Sequence, residues 1–405
     1  MKSISKKVMA GLLVGTTSLS IWAPTSEAAS LEKNRYYSVH LARDYNLVWD
    51  VYRSKDYDNA GILLYDSNGQ DNQEFVFFPL DGGAYAIVNK NSGKPVGIGD
   101  PIANDDGVRR MTLFDDDGLL QKGWTGASAE KWYLRDQGDS YYEIVNQGYG
   151  KVASYAWTGT LADNTQYVDL DNANPSDNNR VFYISKSAFP LPGLPDIPGI
   201  SFDHGTFSLP QLPDTGTRPD APNYTGGVDQ QLPQTSNSVV VGASLIPCIM
   251  VNDNQASDYT KIHNSPYYTL VKEEYWDKTF SAVIPAGLTR NYSFKTGMTS
   301  VDQQKMTDTL SMKIGADLGL KFGQQSASIK TEVSRTLQTE ISTTNTEATE
   351  ETVTSTVASE PGKTTGYTEY QLATKYTLKR ADGSIVSEPW VVKNNKITIA
   401  RKNAQ

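Results

Sequence analysis

The 405-residue sequence has one cysteine, Cys248, and three histidines, His40, His204 and His263. A lone thiol excludes an internal disulfide and therefore a disulfide-stapled scaffold. The histidines are isolated, and HExxH, GxSxG and CxxC are missing, so neither a zinc site nor a nucleophile–base triad is expected. No cofactor, metal or catalytic residue is assigned. Positive charge is short: 37 Lys and Arg against 46 Asp and Glu leave a net −9. A phosphate backbone would repel such a chain, so nucleic acid is not an expected partner. Beyond the N-terminus, long apolar runs are absent. Residues 239–251 come nearest, but Gly242 and Pro247 interrupt them, and a spanning helix needs roughly 20 residues. Sustained helical periodicity is missing as well. What remains is a polar, Tyr-rich chain with 23 tyrosines, long enough for more than one domain.

The N-terminus carries Lys2, Lys6 and Lys7, then a mostly apolar stretch, then Ser26-Glu27-Ala28. That is the pattern of a secretory signal peptide over 1–28, and export is expected. Nine of the 19 prolines fall between 190 and 233. Proline withdraws a ladder donor and favours extended chain, so 187–237 reads as a linker or strap. It separates a front body, 29–186, from a back body, 238–405. Both are rich in Tyr, Val and Thr with Asp, Asn and Gly at turns, which predicts an all-β protein.

Three similar strand ends recur in the front body: Asn72-Gln73-Glu74-Phe75, Ala129-Glu130-Lys131-Trp132 and Asn179-Arg180-Val181-Phe182. Three units that each end in an aromatic suggest a threefold β-trefoil. The QxW-like pattern resembles the ricin-B lectin repeat over roughly 31–186. In the first unit, that resemblance assigns Asp50 and Asn72 to sugar hydroxyls, Tyr65 as stacking platform and Gln73 as support. Leu63 stands where a polar neighbour of the platform belongs. The second unit has Gly97 and Ala129 at the Asp and Asn places. The third has Ser154 at the Asp place and Asp171 at the platform. One sugar site is therefore expected. The same polar side chains could instead serve only their turns.

From 306 to 341 the back body alternates, with Asp308 the exception. Leu310, Met312, Ile314, Leu318, Leu320 and Phe322 are even-numbered; Ile329, Val333, Leu337 and Ile341 are odd. With a turn over 323–327, a β-hairpin would pair Phe322 with Ile329, Leu318 with Val333, Ile314 with Leu337 and Leu310 with Ile341, one face apolar. Each arm exceeds the roughly 9–11 residues of a tilted membrane strand. Such a hairpin either packs half-buried on the protein or is stored and later inserted in a closed ring of several subunits.

Pro247-Cys248-Ile249-Met250-Val251-Asn252-Asp253, then Pro266-Tyr267-Tyr268 and Tyr275-Trp276, resembles the bacterial binary-toxin (Bin-like, Tpp) pesticidal family. The resemblance covers nearly all of the chain after residue 28. It implies an N-terminal ricin-B-like trefoil joined to an aerolysin-like β-pore-forming domain. The implied activity is insecticidal or, more narrowly, mosquitocidal: the trefoil binds galactose-type glycans on a glycolipid or glycoprotein, and the back domain oligomerises in the target membrane. A second toxin component and parasporal crystal storage stay open. A secreted lectin that leaves membranes sealed is the alternative.

Overall fold

A computed structural model of the protein describes residues 31–99, 118–156, 166–187 and 203–405. The expected signal peptide, 1–28, lies outside the described residues. The fold is all-β with few helices: a trefoil followed by an antiparallel sheet domain.

Six front-body strands close a barrel in the cyclic order Tyr36–Leu41, Phe182–Ser185, Tyr141–Asn146, Trp132–Gly138, Tyr85–Asn89 and Phe75–Pro79. Three further hairpins join them: Asp44–Val51 with Ile62–Asp66, Val96–Gly99 with Gly118–Gln121, and Val152–Ala156 with Gln166–Asp171. Alternation decides which side chains point inward. Tyr37, Val39 and Leu41 enter one core with Phe75, Trp132 and Phe182, the three aromatics of the repeat. Phe75–Pro79 and Tyr85–Asn89 are buried on both faces. Their other side chains, Val76, Phe78, Ala86 and Val88, enter a second core shared with Ile246, Cys248, Tyr268 and Leu270 of the back domain.

The back sheet is antiparallel in the order Val239–Pro247, Tyr267–Ile284, Thr365–Lys379, Trp390–Ala404, Thr289–Met298, Glu351–Ala358. The stretches 247–253 and 266–268 meet at its rim. Cys248 N–H donates to the Pro266 carbonyl at 2.9 Å, and the Tyr268 hydroxyl donates to Asp253 at 3.0 Å. Arg380 grips the same carboxylate with two bonds, of 2.7 and 2.9 Å. The proline-rich segment from 203 lies along the sheet and offers carbonyls to it. Trp276 Nε1 donates to Pro219 at 2.7 Å and the Tyr370 hydroxyl to Pro233 at 2.7 Å.

The expected long hairpin is not present. Residues 299–350 instead fold as helix Ser300–Leu310, a small ribbon of Met312–Ile314 with Leu320–Phe322, and helix Lys330–Thr336. Met312 pairs with Phe322 and Ile314 with Leu320. Ile341 lies beside Leu320, not Leu310. The residues are still the apolar face of the segment. Leu310, Met312, Ile314, Leu320, Ile329, Val333 and Leu337 are buried, Leu318 and Phe322 are half-buried, and Ile341 is 42% exposed. Spacing explains the discrepancy. Steps of four, as in Met306–Leu310 and Ile329–Val333–Leu337, repeat on one face of a strand and also on one face of a helix. Local chemistry breaks the tie toward helix. The Thr299 side chain caps the first helix by accepting from Asp302 N–H at 3.1 Å. Ser311 then leaves it with φ 54, and Leu318 turns the chain with φ 66. A Cβ at Gly319 would sit 2.7 Å from Ser342 N, so this close crossing requires glycine.

Candidate carbohydrate site

The first repeat brings Asp50, Asn72 and Gln73 together. Asp50 is next to last in the strand Asp44–Val51, opposite Leu63. Asn72 and Gln73 lie in the turn Asp71–Gln73, which is closed by Gln73 N–H to the Gln70 carbonyl at 2.8 Å. Gln73 is the hub. Its Nε2 donates to Asp50 Oδ2 at 2.8 Å and to the Asp66 carbonyl at 3.0 Å, while its Oε1 accepts from Asn68 N–H at 2.8 Å. Asn72 Nδ2 donates to the Val51 carbonyl at 3.1 Å. Its Oδ1 is buried and has no partner. A buried acceptor without a donor requires an explanation, and an ordered water or a ligand hydroxyl would supply one.

Asp50 is 5% exposed. Burial raises its carboxyl from 3.8 to about 6, against hydrogen bonds from Gln73 and Asn72 that favour the ionised form. Tyr65 lies two residues beyond Leu63, so it shares the hairpin face on which Asp50 sits. It is 54% exposed, which suits a ring that stacks on a sugar. Leu63 is buried in place of a polar neighbour.

The other repeats keep the architecture without the set. Glu130 occupies the Gln73 place and is spent on its own loop, accepting from Thr125 and Gly126 N–H. Arg180 occupies the third place and pairs with Asp171 at 2.7 Å and Asp177 at 3.1 Å. Among the described residues no cluster of His, Cys, Asp and Glu could hold a metal.

One positioning residue was missed. Asn89 Nδ2 donates to the Asn72 carbonyl at 3.0 Å, and its Oδ1 accepts from Asn91 and Ser92 N–H. Asn146 does the same for Ala129, Gly148 and Tyr149. The signal was available: Asn89 with Gly93 and Asn146 with Gly150 stand 57 residues apart, as Phe75 and Trp132 do.

Known proteins resemble this chain in both of its bodies. Residues 239–402 match the family described as "Insecticidal Crystal Toxin, P42", and 25–109 match "Ricin-type beta-trefoil lectin domain-like". "Binary larvicide subunit BinA" of Lysinibacillus sphaericus is 30% identical over 349 residues, 85% of this chain and 84% of its own. "Binary larvicide subunit BinB" of the same organism is 27% identical, over 82% of this chain and 70% of its own. The crystal structure of Cry35Ab1 superposes with a TM-score of 0.74 at 22% identity, over 92% of this chain and 90% of that one.

Proposed function

This chain belongs to the Bin-like family of insecticidal crystal toxins, and on that premise we propose that it binds a cell-surface glycan through its first trefoil repeat and then perforates the target membrane. The glycan is galactose-type, carried on a glycolipid or glycoprotein. Asp50 and Asn72 take neighbouring hydroxyls, Tyr65 stacks on the apolar side of the ring, and Gln73 holds Asp50 in place. The observation that carries the sugar assignment is the buried, unpaired Asn72 Oδ1 beside the Asp50–Gln73 bond.

The pore is formed by a self-oligomer in which 297–350 straightens. The flanking strands Thr289–Met298 and Glu351–Ala358 are already paired, from Thr289 opposite Ala358 to Thr296 opposite Glu351. Continuing that register brings Leu310 opposite Leu337, Ile314 opposite Val333 and Leu318 opposite Ile329. It leaves Gly323-Gln324 as a two-residue turn, with glycine first as a type II′ hairpin prefers. Every apolar side chain of these pairs then faces one way, as a lipid-facing barrel strand requires. Residues 1–28 serve export.

Dye release from liposomes, with and without galactose-terminated glycolipid, tests the reading. Leakage that depends on the glycolipid is expected. Glycolipid binding without leakage would reduce the protein to a lectin. A second reading has its own support, because BinA and BinB are each described as a binary larvicide subunit. On that reading this chain is one half of a pair, and leakage appears only when a partner toxin protein is added.

A further inference from the structure

The second trefoil repeat has lost its sugar-binding side chains, yet its loop is as closely built as the first. In the first repeat, Gln73 accepts from Asn68 N–H, five residues upstream, and spends its amide on Asp50. Glu130 likewise accepts from Thr125 N–H, five residues upstream, at 2.8 Å. It also accepts from Gly126 N–H at 2.9 Å and from the Thr125 hydroxyl at 2.7 Å. At the Asp place, a Cβ on Gly97 would meet the Lys122 side chain at 2.8 Å, so that part of the pocket is filled.

The loop that Glu130 shapes is applied to the back domain. Trp124 Nε1 donates to the Gln325 carbonyl at 2.8 Å. A Cβ on Gly126 would lie 2.1 Å from the Gln324 carbonyl oxygen, and φ there is +79°. Only glycine permits so close an approach. A neighbouring trefoil turn contributes Asp81, whose Oδ2 accepts from Thr331 N–H at 3.0 Å in the first turn of helix Lys330–Thr336. Trp124 and Leu80 share one core with Leu310, Ile329, Val333 and Leu337. Gln324 is also part of the two-residue turn of the straightened hairpin.

We infer that the second repeat has exchanged sugar binding for restraint. Trp124, Gly126 and Asp81 hold the tip and the second helix of the inserting segment in their water-soluble fold. The segment cannot straighten until the trefoil lets go of it. Straightening would break the Thr331 bond, melt Lys330–Thr336 and withdraw Ile329 and Val333 from the shared core. The first repeat lies outside this contact, so a glycan can stay bound while the second repeat releases. The significance of release rests on the pore reading; the restraint itself does not.

Two measurements on the full chain separate these claims. Hydrogen exchange over 324–337 should quicken at least tenfold in Asp81→Ala and Trp124→Ala, with glycan affinity unchanged. Trp124→Phe removes the hydrogen bond but keeps an aromatic ring and part of the packing, so a smaller increase is expected, and it serves if the alanine variant fails to fold. Exchange equal to that of the unsubstituted protein in all three would overturn the inference. Separately, Asp81→Cys combined with Thr331→Cys locks the contact on oxidation; the buried Cys248 does not compete. Leakage should fall at least tenfold when oxidised and return on reduction. Equal leakage in both states would overturn the restraint while leaving the pore reading intact. If the unsubstituted protein never leaks, the pore reading fails, and exchange alone decides the restraint.

Discussion

Replacing Gln73 by alanine tests whether the buried polar set organises the sugar site. The side chain is 1% exposed and makes three bonds, to Asp50 Oδ2 at 2.8 Å, the Asp66 carbonyl at 3.0 Å and Asn68 N–H at 2.8 Å. Neutral bonds contribute about 1 kcal/mol each and a bond to a carboxylate about 1.5–3 kcal/mol, so the gross loss is roughly 3.5–5 kcal/mol. Asn68 and Asp66 can regain water, which brings the expected penalty to about 3 kcal/mol. Denaturant unfolding followed by tryptophan fluorescence measures it. Asp50 would also lose a hydrogen bond that favours its charge, so its carboxyl should titrate higher still. Tyr65→Ala is the comparison. Its ring is 54% exposed, so stability should change by no more than about 0.5 kcal/mol while glycan affinity collapses. Gln73→Ala with native stability and native affinity would refute the reasoning. So would Tyr65→Ala binding glycan as tightly as the unsubstituted protein.

Glycan affinity should be flat above pH 7 and fall about tenfold per unit below pH 6, because the carboxyl of Asp50 is raised to about 6 and its proton blocks an acceptor. The sign for stability is opposite. The raised value means that the proton favours the fold, a gain fully present below about 3.8 and lost as pH rises through about 6. Calorimetric titration at several pH values checks the first claim, and unfolding across the same window checks the second. Arg380→Ala should cost about 3–5 kcal/mol, because Asp253, whose side chain is 1% exposed, would keep an unpaired charge. The Asp253 carboxyl is held below its ordinary value despite burial, chiefly through the Arg380 bonds. The stability this pair provides is therefore present above about pH 4 and lost below, which acid unfolding of the substituted and unsubstituted proteins would compare. Cys248 should resist thiol reagents in the native state and react on unfolding, because burial pushes its thiol up to about 12.

Much of the trefoil was legible, because strand-end aromatics recur wherever a repeat closes a barrel. Phe75, Trp132 and Phe182 are fully buried in one core. That Asp50, Asn72 and Gln73 meet was legible too, since local strands and a single turn hold them together. Residues 299–350 misled because spacings of four satisfy both periods. The deciding features, a threonine cap and left-handed turns at Ser311 and Leu318, are single residues without a pattern of their own. Glu130 was illegible for another reason. In sequence it looks like a lost glutamine, and its work becomes visible only when Trp124 and Gly126 are seen against Gln324 and Gln325 of a distant segment.

Phe75–Pro79 and Tyr85–Asn89 have a bearing on protein engineering. Their outer side chains Val76, Phe78, Ala86 and Val88 belong to the same core as Ile246 and Leu270. The trefoil is thus not a detachable cartridge. Produced alone, it would show water a hydrophobic face and self-associate. Retargeting by grafting a foreign lectin would succeed only if the graft reproduces that face. Rebuilding the short loops around Asp50 and Tyr65 would leave that shared core untouched.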